Sequence, residues 1–502
     1  MGSIRKQTII SSLLVYIGFI IGAINLYFYT RTGIVHGAFT PEQFGLTRIF
    51  FDFSQNMYAF GSLGVIPVIY KFYPFYKDNL VEHEIDLMTW AMLAALIGFI
   101  LVMLAGWWFH PLFVKQYSKG SKLIVDYYYW MFPFAMGMLF FSVMEGFCWA
   151  LQKTVLSNFL KETALRIFTF FFILLFYFNI ISFELFIQLF AFLYLIIFFI
   201  VAIVLYRSKQ LHFPLVVSRV TKKFKNKMLS MQALIFGGTC IASVAATIDS
   251  FIIAKFQGLA VVAVFGVAQY AANLIQVPQR SIQSVSAGVL SRAWKDKNMA
   301  EIERIYQRSC INLLLLALFI FGNLWLNIYQ TLQVLDIQKD YEAGLGVVFI
   351  LGLVRIIDAG TGLNNIVINT SNFWRFDFFS GVILLTLRLP LTYFLIKEYG
   401  IIGSAFAELT AYALYNFIRF EFLRRKFGMQ PFNVKTILAL LSAVAFYALV
   451  HVSTASVQGW SGILLRSFLF SSLFIGFTYF GKLTPDAAQL LNALKKKMGF
   501  IK

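Results

Sequence analysis

Apolar residues along this 502-residue chain fall in blocks of roughly twenty, separated by short polar stretches. About 20 apolar residues in an α-helix cross the roughly 30 Å hydrocarbon core of a bilayer. A transmembrane β-barrel would instead show segments of about ten residues with alternating hydrophobicity, whereas the blocks here are apolar on every face. The pattern therefore predicts an all-α polytopic membrane protein with about fourteen transmembrane helices.

The predicted spans form three groups. The first six are expected at residues 8–30, 46–70, 87–109, 127–151, 157–178 and 183–206. The next six are expected at residues 229–256, 261–289, 310–330, 344–369, 376–396 and 401–423, and the last two at 434–452 and 461–480. We accordingly expect an N-terminal six-helix lobe at 1–206, a basic cytoplasmic linker at 207–228, a C-terminal six-helix lobe at 229–426, and two additional helices with a basic cytoplasmic tail at 427–502.

The two six-helix groups show an internal repeat. A shift of about 221 positions places Phe44 and Gly45 on Phe265 and Gly266, and within one position it places Arg166 near the equivalent arginine of the second group. An even number of helices in each repeat makes the two bundles parallel, and transporters built in this way have their substrate path between the halves. The repeat therefore predicts two parallel six-helix bundles followed by two C-terminal helices.

Charge fixes the expected orientation. The formal net charge is +19, although only 13% of the residues are charged. Lys and Arg concentrate in the segments on one side of the predicted helices, which is typical of cytoplasmic loops. Both termini are therefore expected in the cytoplasm. Basic loops beside anionic membrane lipids account for the net charge, so no nucleic-acid partner is expected.

Charged residues also occur inside the predicted helices, where each needs a partner or a wet cavity. One interpretation is that they form structural pairs, for which the candidates are Arg48 with Asp52, Arg355 with Asp358, and Lys161 with Glu162. This interpretation leaves some arginines without an adjacent acid, most clearly Arg166, Arg280 and Arg388. The planar fork of arginine suits phosphate oxygens, so these residues favour a cavity for a phosphorylated anion.

Polar residues are concentrated on the second, eighth and tenth predicted helices. Positions 269, 273, 276, 280 and 283 recur at helical spacing and form one stripe, which should face water or substrate. The candidate substrate-binding arginines are Arg48, Arg166, Arg280, Arg355 and Arg388. The candidate polar lining consists of Asp52, Gln269, Asn273, Gln276, Asp358 and Asn365, and the candidate ion-coupling residues are Asp249 and Asp358. We expect all these arginines except Arg48 to converge on one cavity between the halves, with Arg48 nearer its outer mouth.

Two segments resemble a known family. They read Ser3-Ile4-Arg5-Lys6-Gln7-Thr8-Ile9 and Thr40-Pro41-Glu42-Gln43-Phe44-Gly45-Leu46-Thr47-Arg48. Both are similar to bacterial polysaccharide-repeat-unit flippases of the oligosaccharide flippase family, whose superfamily also contains multidrug and toxin extrusion antiporters and peptidoglycan-precursor flippases. The latter carry an arginine inside their first helix, whereas here no charge within that helix precedes Arg31. This departure favours the polysaccharide branch.

The resemblance implies an alternating-access transporter in the bacterial cytoplasmic membrane. It further implies a lipid-linked oligosaccharide as substrate, Na⁺ or H⁺ coupling, contact with membrane lipids, and a place beside polysaccharide polymerase machinery. A multidrug antiporter is the rival within the superfamily, because Asp52, Asp249 and Asp358 could serve cations.

Rivals of other classes are a membrane glycosyltransferase, polymerase or ligase, and a non-transporting scaffold. The external loops are short and no motif for a nucleophile, a metal site or a nucleotide-binding loop occurs, so we expect no catalytic residue, no metal and no cofactor.

Overall fold

The chain folds into helices throughout. The computed structural model describes residues 2–33, 38–118 and 120–486, and the predicted basic tail beyond them lies outside the described residues. Helices joined by short turns make up this part of the chain, with no β-strand in it, which confirms the predicted all-α class. Ten of its helical segments are long and apolar enough to cross a membrane, and the expected total of fourteen stays a prediction. The protein is a multi-pass membrane protein.

The chain divides into two compact units, Met1–Ala263 and Val264–Lys502. The helices of the first unit are α1 Gly2–Thr30, α2 Pro41–Gly61, α3 Val65–Lys77, α4 Leu87–Tyr117, α5 Lys122–Asp126, α6 Met131–Ala150, α7 Thr154–Asn158, α8 Leu165–Tyr177, α9 Phe183–Ala191, α10 Leu193–Arg207 and α11 Arg219–Gln257. A π-helical turn at Phe159–Ala164 joins α7 to α8.

The second predicted span, residues 46–70, is interrupted. α2 begins with a capping box, in which the Thr40 hydroxyl accepts from the Gln43 amide and the Gln43 side chain accepts from the Thr40 amide. α2 and α3 are then separated by a turn in which Gly64 has a φ of +71°. A Cβ on Gly64 would lie 2.4 Å from the backbone oxygen of Gln232 in α11. Only glycine permits this turn and this close approach of α11.

α11 is longer than the predicted seventh span, because it begins at Arg219 inside the predicted basic linker. The buried carboxylate of Asp86, which precedes α4, fixes its first turn. Asp86 accepts from the Ser218 amide at 2.8 Å, from the Trp90 indole at 2.9 Å, and from the Thr221 hydroxyl at 2.8 and 2.9 Å. A carboxylate at a helix N-terminus satisfies free amides and complements the helix dipole, so Asp86 holds the start of α11 against α4.

The second unit begins within α12, whose first turn still belongs to the first unit. The helices of the second unit are α12 Leu259–Asn273, α13 Val277–Lys295, α14 Met299–Val334, α15 Leu345–Gly360, α16 Asn364–Asn369, α17 Trp374–Phe427, α18 Val434–Ser453 and α19 Gly459–Phe480.

α17 is a helical hairpin, which matches the separate spans predicted at 376–396 and 401–423. Its two helical halves meet at Gly400, whose φ of +65° and ψ of −146° are not helical. Arg388 and Glu408 lie on opposite sides of Gly400, yet their side chains are 3.0 Å apart. Twenty residues of straight helix would separate them by about 30 Å, so the chain must reverse its direction at this glycine.

The two C-terminal helices pack on α14 through polar contacts as well as apolar ones. Arg466 of α19 is buried and donates to the Gln330 side chain of α14 at 2.7 Å. It also donates to the Thr454 hydroxyl at 3.1 Å and to the backbone oxygens of Thr454 and Val457 at 3.2 and 2.9 Å. The guanidinium therefore joins α14, α19 and the loop after α18.

Candidate functional site

A continuous run of polar side chains crosses the second unit, with members on α13, α15, α16, both halves of α17 and the turns next to these helices. We call it the polar seam, and its members are Gln276, Gln279, Arg355, Asp358, Thr361, Asn364, Arg388, Glu408, Tyr412 and Asn416. Three of them recur every four residues along α17 and so share one face of that helix. Charged and amide groups at this depth are expensive in a membrane protein unless they satisfy one another, as they do here.

The charged centre of the seam is an ion triad. Arg355 Nη1 lies 2.9 Å from Glu408 Oε1, and Arg388 Nη2 lies 3.0 Å from Glu408 Oε2, so each carboxylate oxygen takes one guanidinium. The side chains of Arg355, Arg388 and Glu408 are only 8%, 11% and 3% exposed. Removing one member of such a buried cluster leaves an uncompensated charge and typically costs about 3–5 kcal/mol.

A second centre surrounds Asp358, one turn after Arg355 on α15. Its Oδ2 accepts from Gln279 at 3.0 Å and from Gln276 at 3.4 Å, and its Oδ1 accepts from Asn416 at 3.3 Å. The carboxylate thus meets amide N–H groups. A sodium ion at this position would require the amides to rotate and to present their oxygens instead.

The structure changes two of the three predicted ion pairs. Arg48 does pair with Asp52, with Nε 3.3 Å from Oδ2. The expected pairs Arg355 with Asp358 and Lys161 with Glu162 are wrong, since Arg355 binds Glu408 and the Lys161 Nζ lies 2.9 Å from Oε2 of Glu145. Consecutive residues of a helix point in different directions, so Lys161 and Glu162 each turn to a different neighbour.

The prediction that certain arginines lack an acid is also corrected. Arg166 binds the carboxylate of Glu162 at 2.7 Å, and its guanidinium also reaches the Glu162 backbone oxygen. Arg388 finds its acid across the turn at Gly400. Arg280 lies exposed on α13 and makes no ion pair with another described residue. Among the predicted substrate-binding arginines, Arg355 and Arg388 are the two that meet, whereas Arg48 and Arg166 lie in the first unit.

The predicted polar stripe of the eighth helix has a break in it. α12 ends at Asn273, and a 3-10 turn at Leu274–Gln276 precedes α13. Gln279, which lies off the predicted stripe, is buried and binds Asp358 together with Gln276, three residues earlier. Gln269 and Asn273 are half-buried on α12. The remaining predicted lining residue, Asn365, accepts from the Ile366 amide at 2.8 Å.

A smaller acidic cluster lies in the first unit between α2 and α11. Asp52 and Asp249 are both buried. They lie close enough for their carboxylates to repel each other, while Arg48 and the Ser250 hydroxyl both interact with Asp52. The predicted residues Arg48, Asp52 and Asp249 thus come together, on a unit other than the one that holds the polar seam.

Sequence reasoning missed Glu408, Asn416 and Gln279 as members of the site. Glu408 and Asn416 are eight residues apart in an apolar block, a spacing that puts both on one helix face and could have marked them.

The three cysteines are free. Within residues 2–33, 38–118 and 120–486, no group of three His, Cys, Asp or Glu side chains could hold a metal ion.

Comparisons with known proteins show which solved structures have a similar fold. No protein-family model matches the sequence, and no curated protein matches it either. Among solved structures, the lipid II flippase MurJ in an inward closed conformation is similar with a TM-score of 0.73 and 13% identity, over 95% of this chain and 99% of that one.

Two further solved structures are similar over most of their length. An inward-facing multidrug resistance MATE family transporter of the MOP superfamily gives a TM-score of 0.60 at 13% identity, over 82% of this chain and 94% of that one. A MOP superfamily transporter from Pyrococcus furiosus, whose binding pocket is described as reversed in polarity, gives 0.57 at 13% identity, over 84% and 96%. The chain therefore has the fold of MOP-superfamily transporters.

Proposed function

We propose that this protein is a flippase that moves a polyprenyl-diphosphate-linked oligosaccharide across the bacterial cytoplasmic membrane by alternating access. The product would serve the biosynthesis of a surface polysaccharide such as O-antigen, capsule or exopolysaccharide. The fold supports the proposal, because the similarity to a lipid II flippase extends over 95% of this chain, whereas the MATE transporter is similar over 82% of it.

The ion triad is the observation that carries the proposal. A diphosphate with attached sugars cannot enter hydrocarbon unaided, because desolvating its charges and hydroxyls costs many kcal/mol. Two arginines held side by side, Arg355 and Arg388, offer paired N–H donors that match phosphate oxygens. The neighbouring amides of the seam can bond to sugar hydroxyls, and the prenyl tail can stay in the lipid.

The remaining assignments belong to the same proposal. We assign head-group binding to Arg48, Arg166, Arg280, Arg355 and Arg388. Ion coupling through Na⁺ or H⁺ is assigned to Asp249 and Asp358. We also propose that both termini lie in the cytoplasm. The proposed partner is the polysaccharide polymerase machinery, which would receive the translocated oligosaccharide.

Transport by the purified protein in proteoliposomes tests the proposal. The substrate is a fluorescent polyprenyl-diphosphate oligosaccharide, and the variants are Arg355→Lys and Arg388→Lys, which keep the charge but lose the two-pronged geometry. We expect each to lower the transport rate by about tenfold or more, since one lost charge-assisted contact is worth at least about 1.4 kcal/mol.

Arg419→Lys is the matched control. Arg419 is equally buried on α17, but it binds Asp377 and Ser380 outside the polar seam. Equal loss of transport in Arg419→Lys would show that the seam arginines matter only for folding. No transport by the unaltered protein would refute the flippase proposal.

A multidrug antiporter is the second candidate, because the first unit holds the buried acids Asp52 and Asp249, which could bind a cation in turn with protons. The same vesicles, loaded with a cationic dye and given a pH gradient, separate the two functions. Dye movement that requires Asp249, without oligosaccharide transport, would favour the antiporter.

A further inference from the structure

We infer that Glu408 occupies the position of a substrate phosphate, so that head-group binding to Arg355 and Arg388 displaces Glu408 as a neutral acid and takes up one proton from water. This inference rests on the proposed function. It names H⁺ as the ion linked to binding and Glu408 as the residue that carries it.

The geometry of the triad resembles an occupied anion site. Glu408 presents one oxygen to each of two guanidinium groups, at 2.9 and 3.0 Å, as a phosphate would. The site also holds hydrogen-bond donors that Glu408 does not satisfy. The buried Nε of Arg355 has no hydrogen-bond partner among the described residues, and within that part of the chain the same is true of the buried hydroxyl of Thr392, one turn after Arg388. A diphosphate has enough oxygens to satisfy these donors as well.

The charges around Glu408 explain why the displaced group must be neutral. Arg355 faces it from α15 and Arg388 from the first half of α17, while Tyr412 lies one turn away on its own helix. Asp358 of α15 also acts on Tyr412. When the arginines turn to an incoming anion, an ionised Glu408 would stay buried beside a diphosphate, with no cation of its own. Burial and like charge both favour protonation there.

The proton balance is simple. No covalent bond forms or breaks, one proton passes from water to the Glu408 carboxylate on binding, and it returns when the substrate leaves. Linkage then requires binding to tighten as the pH falls, by up to about tenfold per pH unit where one proton is taken up. A lipid-linked sugar is a diester of diphosphate, whose remaining acidic groups stay ionised near neutral pH, so the ligand itself adds no titration in this range.

Calorimetry on the full-length protein in lipid nanodiscs tests the inference. A short-chain prenyl-diphosphate monosaccharide is titrated at pH 7 in two buffers with different ionisation enthalpies, and the difference in heat counts the protons. We expect about one proton per bound ligand for the unaltered protein and about none for Glu408→Gln, whose affinity should no longer vary with pH. Asp377→Asn removes the half-buried acid that pairs with Arg419 on α17 and should keep the uptake of about one proton.

Each outcome separates this inference from the function. Binding to the unaltered protein without proton uptake would overturn the role of Glu408 but would leave the flippase proposal standing. This outcome does not depend on whether any variant folds. Uptake that persists in Glu408→Gln would equally overturn that role. Failure of the unaltered protein to bind the ligand would instead refute the head-group site, and with it the proposed function.

Discussion

Replacement of Asp86 by alanine should loosen the start of α11 without touching the polar seam. The buried carboxylate receives hydrogen bonds from the Ser218 amide, the Trp90 indole and the Thr221 hydroxyl. Thr221 retains a second partner, because its hydroxyl also lies 2.7 Å from that of Tyr76. The Ser218 and Trp90 N–H groups have no other recorded bond among the described residues, so both would be left without an acceptor.

The magnitude follows from these two donors. Hydrogen bonds to a charged group contribute about 1.5–3 kcal/mol each, so losing both removes about 3–6 kcal/mol, and water at the helix start would reduce this toward the lower figure. About 3 kcal/mol corresponds to roughly a 100-fold larger population of the open first turn. Asp86→Asn keeps one acceptor oxygen and should give an intermediate effect.

Tryptic cleavage at Arg219 and Lys222 measures this opening directly, since proteolysis follows the equilibrium population of the open form when closing is fast. We expect Asp86→Ala to accelerate cleavage by about 10- to 100-fold in detergent micelles. Asp78→Ala is the control, because Asp78 is an exposed acid at the end of α3, near Asp86 in the chain. A rate for Asp86→Ala within about twofold of this control would refute the reasoning.

Two further predictions concern helix packing. Gly45→Ala should lower the free energy of unfolding by about 1–3 kcal/mol, because its Cβ would lie 2.0 Å from the backbone oxygen of Leu259; an unchanged thermal midpoint would contradict this close contact. Arg466→Met should lower it by about 2–4 kcal/mol, because it strips Gln330 and two backbone oxygens of their donor. Thermal unfolding in detergent measures both effects. Arg424 is exposed, so Arg424→Met is the control and should change the thermal midpoint little. Equal losses in the two arginine variants would show that the buried hydrogen bonds of Arg466 do not stabilise the protein.

The helices could be predicted because the bilayer demands a minimum run of apolar residues, and such runs are visible in sequence. The spans predicted at 376–396 and 401–423 correspond to the two halves of α17, with Gly400 between them. The interruption of the second span at Gly64 was less visible. It depends on a close approach by α11, which is distant in sequence.

The partners of the charged residues could not be predicted in the same way. A sequence shows which charges share a helix face, but it does not show which neighbouring helix faces them. The sequence therefore shows no acid next to Arg388, although Glu408 lies 3.0 Å away, and it pairs Arg355 with the nearby Asp358 rather than with Glu408. Gln279 is a similar case, because its partner Asp358 lies on α15, which is distant in sequence.

The polar face of α14 has a consequence for the order in which the protein is made. Asn327 of this helix binds Ser467 of α19 at 3.0 Å, and Gln330 binds Arg466. At about 5–20 residues per second, the ribosome reaches α19 roughly 6–25 s after it has finished α14. Throughout that interval the amides of α14 have no partner from the end of the chain. The packing of α14 is therefore complete only after α19 has entered the membrane, so we expect the second unit to reach its final arrangement well after α14 itself is inserted.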